Sequence, residues 1–287
     1  MNRHTLLSAS TCLAAFALLL SSASASTYGT NITISDQNYA GSDWYSNRED
    51  QETETNPNTI TGQVWDMEGM FLSGSTLTLV GGFDFKNGTN SGGYNFKTGD
   101  IFIDVNGDAK YGPANAGSGA IAWGDGPHTA ITDNTFGYDY VIHLDMANDT
   151  YDVYSLSALS QVVRVLDVET SNPWTYSSGG TALQGYQNLA FNYISGLSNA
   201  DTGFEGDDTN FTGYSTGSNA HYALQVDLGF IAGQTATFHY TMECGNDNLM
   251  GQSVTTTTHK TPDSGSTVLL FGMALLGFAG IRRKFGR

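Results

Sequence analysis

The chain has 287 residues, of which 14% are charged and 12% aromatic, and its formal charge is −17 at pH 7. Between Ser26 and Lys260 the imbalance is steeper, six basic residues standing against 27 acidic ones for a net of −21. Such a surface repels nucleic acid and anionic lipid, whose binding rests on basic patches, and about 235 residues can bury an ordinary core without covalent staples.

The amino terminus opens with Asn2, Arg3 and His4, a mostly apolar run from Leu6 to Leu20, and small residues ending in Ala23-Ser24-Ala25. That order is the plan of a secretory leader: residues 1–25 form an apolar signal helix, cut after Ala25 and handled by the Sec translocon. Cys12 leaves with it. Cys244 is then the single thiol of the exported body, so no intramolecular disulfide is available.

From there the apolar pattern has a period of two. "STLTLVGGFDF" places Leu77 and Leu79 on one face, and "GDIFIDVNGDAKYG" alternates Ile101, Ile103 and Val105. The segments "YDYVIHLDM", "TYDVYSL", "QVVRVLDV", "NLAFNYISGL", "HYALQVDLGFI" and "TATFHYTM" repeat the pattern between clusters of Gly, Asn, Asp and Ser. About ten short strands with turn signals between them predict an all-β domain over residues 26–251, an antiparallel sandwich or jelly roll. Ser46–Thr59 and the polar stretch from Ser198 to Ala220 read as loops. Residues 252–260, rich in Thr, read as a linker that cannot pack a core.

Several constellations bear on chemistry. Asp104, Asn106 and Asp108 alternate as oxygen ligands do in a calcium loop, although Ala109 and Asn115 stand where an EF-hand wants Gly and Glu. Asn106-Gly107 equally marks a type I′ hairpin turn after the strand. No other cofactor is expected. "GYSTG" around Ser215 satisfies the nucleophile-elbow pattern, with Asp227 and His239 following, but it lies in a polar loop that leads into a strand, the wrong setting for that elbow. Glu68, Glu169 and Glu243 lie on or near strands and could pair as glycosidase carboxylates. His239 and Cys244 stand five residues apart across a strand end. Trp44, Trp65, Trp123 and Trp174 offer either core packing or platforms for sugar rings.

The last 27 residues, 261–287, change character. Pro262-Asp263-Ser264-Gly265 precedes an apolar run from Thr267 to Ile281, then the basic cluster Arg282, Arg283 and Lys284. At helical rise that run covers about 22 Å, less than the ~30 Å hydrocarbon core, so as a transmembrane helix it can just span if its flanks snorkel. The cluster keeps the carboxyl terminus cytoplasmic and the acidic body outside. This arrangement resembles the carboxyl-terminal sorting signal of exosortase substrates, the PEP-CTERM class, in its VPDSG variant; Thr261 stands where the variant has Val. "GQVWDMEGMFL", "GDIFIDVNGD" and "FHYTMECGNDNLMG" are similar to segments in the exported bodies of such proteins. The resemblance implies an exosortase as partner, transient anchoring at the inner membrane, and release to the cell surface or extracellular matrix, in some cases beside exopolysaccharide. Within that frame the sequence reads as a non-enzymatic structural protein, with a carbohydrate-binding module as the alternative and a secreted hydrolase as the third choice.

Overall fold

The computed structural model describes residues 28–34, 63–109, 128–166, 171–202, 221–245 and 247–255. Within them the chain forms antiparallel sheets, as the two-residue period predicts. The first sheet has the order β1-β2-β3-β15-β14, built from β1 (Thr30–Asn31), β2 (Gly69–Ser73), β3 (Thr76–Gly81), β15 (His221–Asp227) and β14 (Asn192–Leu197). The second runs β12-β9-β8-β6-β16-β17, with β12 (Thr181–Ala182), β9 (Thr150–Ser155), β8 (Tyr140–Asp145), β6 (Ile101–Asp104), β16 (Thr235–Thr241) and β17 (Asn248–Val254); β13 (Leu189–Ala190) also pairs with β9.

These two sheets make a β-sandwich around one core. Leu77 and Leu79 of β3 meet Ile101 and Ile103 of β6, Ile142 of β8, Val153 of β9 and Phe238 of β16, all fully buried. Burying each such side chain stabilises the fold by about 1.5–3 kcal/mol, before the entropy of ordering the chain is subtracted. At one edge the sandwich is closed by the amino-terminal segment. Thr30 and Asn31 pair with Leu72 and Phe71 of β2, while Thr33 bridges Gly251 of β17, so a single strand joins both sheets.

A third, smaller sheet was not foreseen. It contains β11 (Thr175–Ser178), β10 (Gln161–Val165) and β7 (Thr129–Asp133), in the order β11-β10-β7. It covers the outer face of the second sheet, where Phe102, Tyr138, Val141 and Val162 form a separate buried cluster. Hence the apolar run Ile101-Phe102-Ile103: its isoleucines face the sandwich core and Phe102 faces the third sheet, so both faces of β6 are covered. A hairpin of β4 (Thr89–Ser91) and β5 (Tyr94–Phe96), a short helix, α1 (Asn199–Thr202), and two 3-10 turns, Gln63–Trp65 and Gly229–Ile231, complete the described elements.

One predicted boundary moves. β17 continues to Val254, pairing Ser253 and Val254 with Ala236 and Thr235, so residues 252–255 belong to the fold and not to the linker. Thr255 is fully buried; its N–H donates to Gln234 O at 2.9 Å, and its hydroxyl donates to the carbonyls of Ile231 and Gln234. A Thr-rich stretch that looks structureless supplies β-branched residues with hydroxyls, which suit a strand end where carbonyls need donors.

Backbone segments approach one another closely at Gly99. A Cβ there would lie 2.2 Å from Thr241 O and 2.5 Å from Trp174 O, two backbone atoms that cannot move aside cheaply. Gly99→Ala is expected to destabilise the protein by about 3 kcal/mol or more, read as a lower denaturation midpoint in urea; an unchanged midpoint would mean that the backbones of Gly99, Trp174 and Thr241 do not approach this closely.

Candidate functional site

The predicted calcium residues do come together, at the end of β6. Asp104 is buried, and its Oδ1 accepts the N–H groups of Asn106 at 3.0 Å and Gly107 at 2.8 Å, while Oδ2 accepts that of Ala109 at 3.2 Å. Asn106 Oδ1 accepts the Asp108 N–H at 2.9 Å. A residue that sequence reasoning missed closes the other side: Asp139 accepts from Val105 N at 2.8 Å, Asn106 N at 3.2 Å and Asn106 Nδ2 at 2.9 Å. Burial raises the Asp139 carboxyl above its ordinary value, opposed by those two backbone donors and reinforced by the charges of Asp104 and Asp108. The loop is thus folded around two carboxylates that serve as acceptors for its own backbone. Among the described residues no group of three or more His, Cys, Asp or Glu side chains is placed to hold a metal ion.

The type I′ hairpin is not formed either. Gly107 has φ +81°, but Asn106 is not in the left-handed region that both central residues of that turn require. Both edges of β6 are already occupied, by β8 and β16, which leaves no place for a strand returning beside it.

The other candidates are dispersed. Asp227 ends β15 in the first sheet, whereas His239 lies in β16 of the second, and Ser215 falls outside the described residues. His239 is fully buried, 3.1 Å from Pro173 O through Nε2 and stacked on Tyr138; Cys244 is buried in the sandwich core, a different cluster. Burial pushes the His239 imidazole down to about 4, partly offset by hydrogen bonds to the Pro173 and Ser171 backbone. Glu68 meets His221 Nδ1 at 2.5 Å, and Glu243 accepts from Tyr94 Oη at 2.7 Å and Lys97 N at 2.9 Å. Each carboxylate serves an internal partner on a different element; Glu169 lies outside the described residues. Trp65 packs edge-on against Phe96 at 5.3 Å, and Trp174 Nε1 donates to Thr98 O at 3.1 Å, so both are packing residues; Trp44 and Trp123 lie outside the described residues.

One concave site was not anticipated. A cleft of about 600 Å³ lies between the β4–β5 hairpin and the β8–β9 turn, lined in part by Lys86, Lys97, His143, Asp145, Asp152 and Asn188. Lys86 is paired with Asp149 at 2.6 Å. His143 is held from behind: its Nδ1 lies 2.9 Å from Asp100 Oδ2, and that hydrogen bond, opposed by burial, raises its pKa, with Asp152 and Asp145 adding to the rise. No local motif marks this site, because Asp100 and His143 are 43 positions apart.

The predicted sorting residues Pro262 to Gly265 and Arg282 to Lys284 lie outside the described residues, the first of them seven positions beyond Thr255. Among the described residues no helix is long and apolar enough to cross a membrane. A family model described as the VPDSG-CTERM motif matches residues 262–285. The chain carries a VPDSG-CTERM sorting signal. This PEP-CTERM-type motif implies processing by an exosortase, with export to the surface or extracellular space. No curated protein matches the chain significantly, and no solved structure does.

Because the folded protein holds His239 neutral down to about 4 against an ordinary 6.5, its contribution is present above pH 6.5 and is lost as the pH falls toward 4. The stability gap between the wild type and His239→Gln should therefore narrow by about 3 kcal/mol between pH 7.5 and pH 4, as measured by urea titration at each pH. In the β6 loop, Asp104→Ala should cost about 1–2 kcal/mol because it removes the buried acceptor of three backbone hydrogen bonds, whereas exposed Asp108→Ala should change stability by less than about 0.5 kcal/mol. Melting curves in chelator and in millimolar calcium should coincide; a rise with calcium that Asp108→Ala removes would restore the cation reading.

Proposed function

We propose that the protein is a structural component of a bacterial cell surface or extracellular matrix: it crosses the inner membrane through the Sec translocon, is held there by its tail, and is released by an exosortase. The observation that carries this reading is the VPDSG-CTERM motif at 262–285, separated by six residues from Thr255, the last hydrogen-bonded residue of the β-sandwich. The acidic body supports it, since a net charge of −21 favours solubility outside the cell and disfavours retention on anionic lipid. A non-enzymatic role is supported by the described carboxylates and histidines, most of which act as internal hydrogen-bond partners. The second reading, carbohydrate binding, draws its support from the cleft: Lys97, His143 and Asn188 offer polar groups beside the apolar Met146. The described tryptophans do not contribute to it.

Surface-released protein from a host carrying its exosortase should begin near Ser26 and yield no peptides from Val268 onward by mass spectrometry. Replacing Pro262 to Gly265 by alanine should leave the body membrane-associated. Intact tail on released protein would overturn the proposal.

A further inference from the structure

The cleft between the β4–β5 hairpin and the β8–β9 turn combines fixed supports with unengaged tips. Lys97 is clamped through its backbone: its N–H donates to Glu243 Oε2 and its carbonyl accepts from Glu243 N, both at 2.9 Å. Its ammonium makes no ion pair among the described residues. His143 is held by Nδ1 against Asp100, whose side chain is 3% exposed where that of His143 is 40% exposed. Nε2, on the other edge of the ring, has no partner among the described residues. Asn188 is held through its N–H, which donates to Asp152 Oδ1 at 2.6 Å, and its side-chain amide is likewise unengaged among the described residues. Three polar heads from three separate segments thus meet one cavity of about 600 Å³, the size of a small-molecule site.

What these tips lack is an acceptor. The carboxylates of the cleft already accept backbone N–H groups, Asp145 from Ala147 and Asn148 and Asp152 from Asn188, and Lys86 is paired with Asp149. Of the three Lys and Arg among the described residues two, Lys86 and Lys97, line this cleft, on a body whose net charge is −21. Among the described residues positive charge is therefore concentrated here, yet Asp145 and Asp152 oppose a dense negative charge such as a phosphate dianion or an acidic peptide. A ligand with one carboxylate set among hydroxyls meets both conditions. Its carboxylate takes charge-assisted hydrogen bonds from Lys97 and His143, and its hydroxyls donate to the remaining lone pairs of Asp145 and Asp152 and accept from the Asn188 amide. Its C–H face has Met146 to lie against.

We infer that this cleft binds a carboxylated sugar of the uronic acid type, with Lys97 and His143 on the carboxylate. The assignment deepens the carbohydrate-binding reading of the proposed function and rests on it. The charges that act on the His143 ring come from Asp100 behind it, Asp152 on β9 and Asp145 on β8; Tyr176 on β11 meets it edge-on at 5.4 Å, and Lys97 and the ion-paired Lys86 line the same cleft. The hydrogen bond to Asp100, opposed by burial, holds the imidazole pKa above its ordinary value. Protonated, the ring presents Nε2–H to the ligand as a charged donor. As the pH rises through that pKa the proton on Nδ1 stays with Asp100 and Nε2 becomes an acceptor, which repels a carboxylate. The sugar carboxylate itself stays ionised throughout that range, so the pH dependence of binding belongs to the protein.

The test titrates the full-length chain, held in a polyoxyethylene detergent that carries no sugar, with glucuronate, galacturonate and mannuronate and with the parent hexose of each, by calorimetry in chelator at pH 6. At least one uronate should bind about tenfold or more tightly than its hexose, and Lys97→Gln and His143→Asn should each remove most of that difference. Lys97→Gln keeps the backbone clamp to Glu243, so it separates loss of the contact from loss of the fold. The wild-type preference should shrink between pH 6 and pH 8.5 and stay flat in His143→Asn. Uronates that bind no better than their hexoses would overturn the carboxylate assignment and leave the carbohydrate reading standing, whereas no binding by any of the six sugars would overturn both. A preference that survives both substitutions, or inorganic phosphate or diglutamate binding as tightly as the uronate, would also overturn the assignment.

Discussion

The buried carboxylate of Asp100 holds the layers of this protein in register. Its Oδ1 accepts from Leu144 N at 2.9 Å, and its Oδ2 accepts from Thr175 Oγ1 at 2.5 Å and Tyr176 N at 2.7 Å and faces His143 Nδ1 at 2.9 Å. Two of these groups belong to β8 in the second sheet and two to β11 in the third. A carboxylate taken out of water is costly unless its lone pairs are occupied, so the third sheet cannot lift away without exposing that cost. Two neighbouring contacts follow the same constraint: Asp100 N donates to Trp174 O, and the Tyr154 and Tyr176 rings stack at 4.7 Å across the two sheets.

Two histidines flank this region with opposite linkage. His143 has a raised pKa, so its stabilising contribution is present below the unfolded value near 6.5 and is lost as the pH rises through the folded one. His239 is held neutral and contributes in the opposite sense. The two act on opposite sides of about 6.5: stability drawn from His239 is lost below it and stability drawn from His143 is lost above it, so together they favour a maximum near that pH.

What was legible in the sequence follows from the range of the interactions involved. The alternation of Leu77 with Leu79 and of Ile101 with Ile103 reports burial on one face, a local property, and the strands lie where it places them. Phe102 between two isoleucines signals burial on both faces, but not which layer covers the second one. Asp100 in "TGDIF" looks like a surface turn residue, because its partners are 43 to 76 positions away. Asp104, Asn106 and Asp108 are close in sequence and share one loop, while Asp139, which closes that loop from 33 positions away, carries no local mark. Thr255 was assigned to a linker because composition does not reveal that its hydroxyl has carbonyls to reach. The sorting signal was fully legible, since a contiguous motif, an apolar run and a basic cluster need no tertiary context.

The scarcity of basic residues has a further consequence for life outside the cell. From Val165 to His259 the chain contains neither Lys nor Arg, and Arg164, just before that stretch, sits inside β10, paired on both sides by β7 and β11. Lys86 is tied to Asp149. Proteases of trypsin-like specificity therefore find almost nowhere to begin on the carboxyl-terminal half of the body, even when a loop opens. A composition that reads first as electrostatic also limits where an enzyme that needs Lys or Arg at the scissile bond can cut this half of the chain.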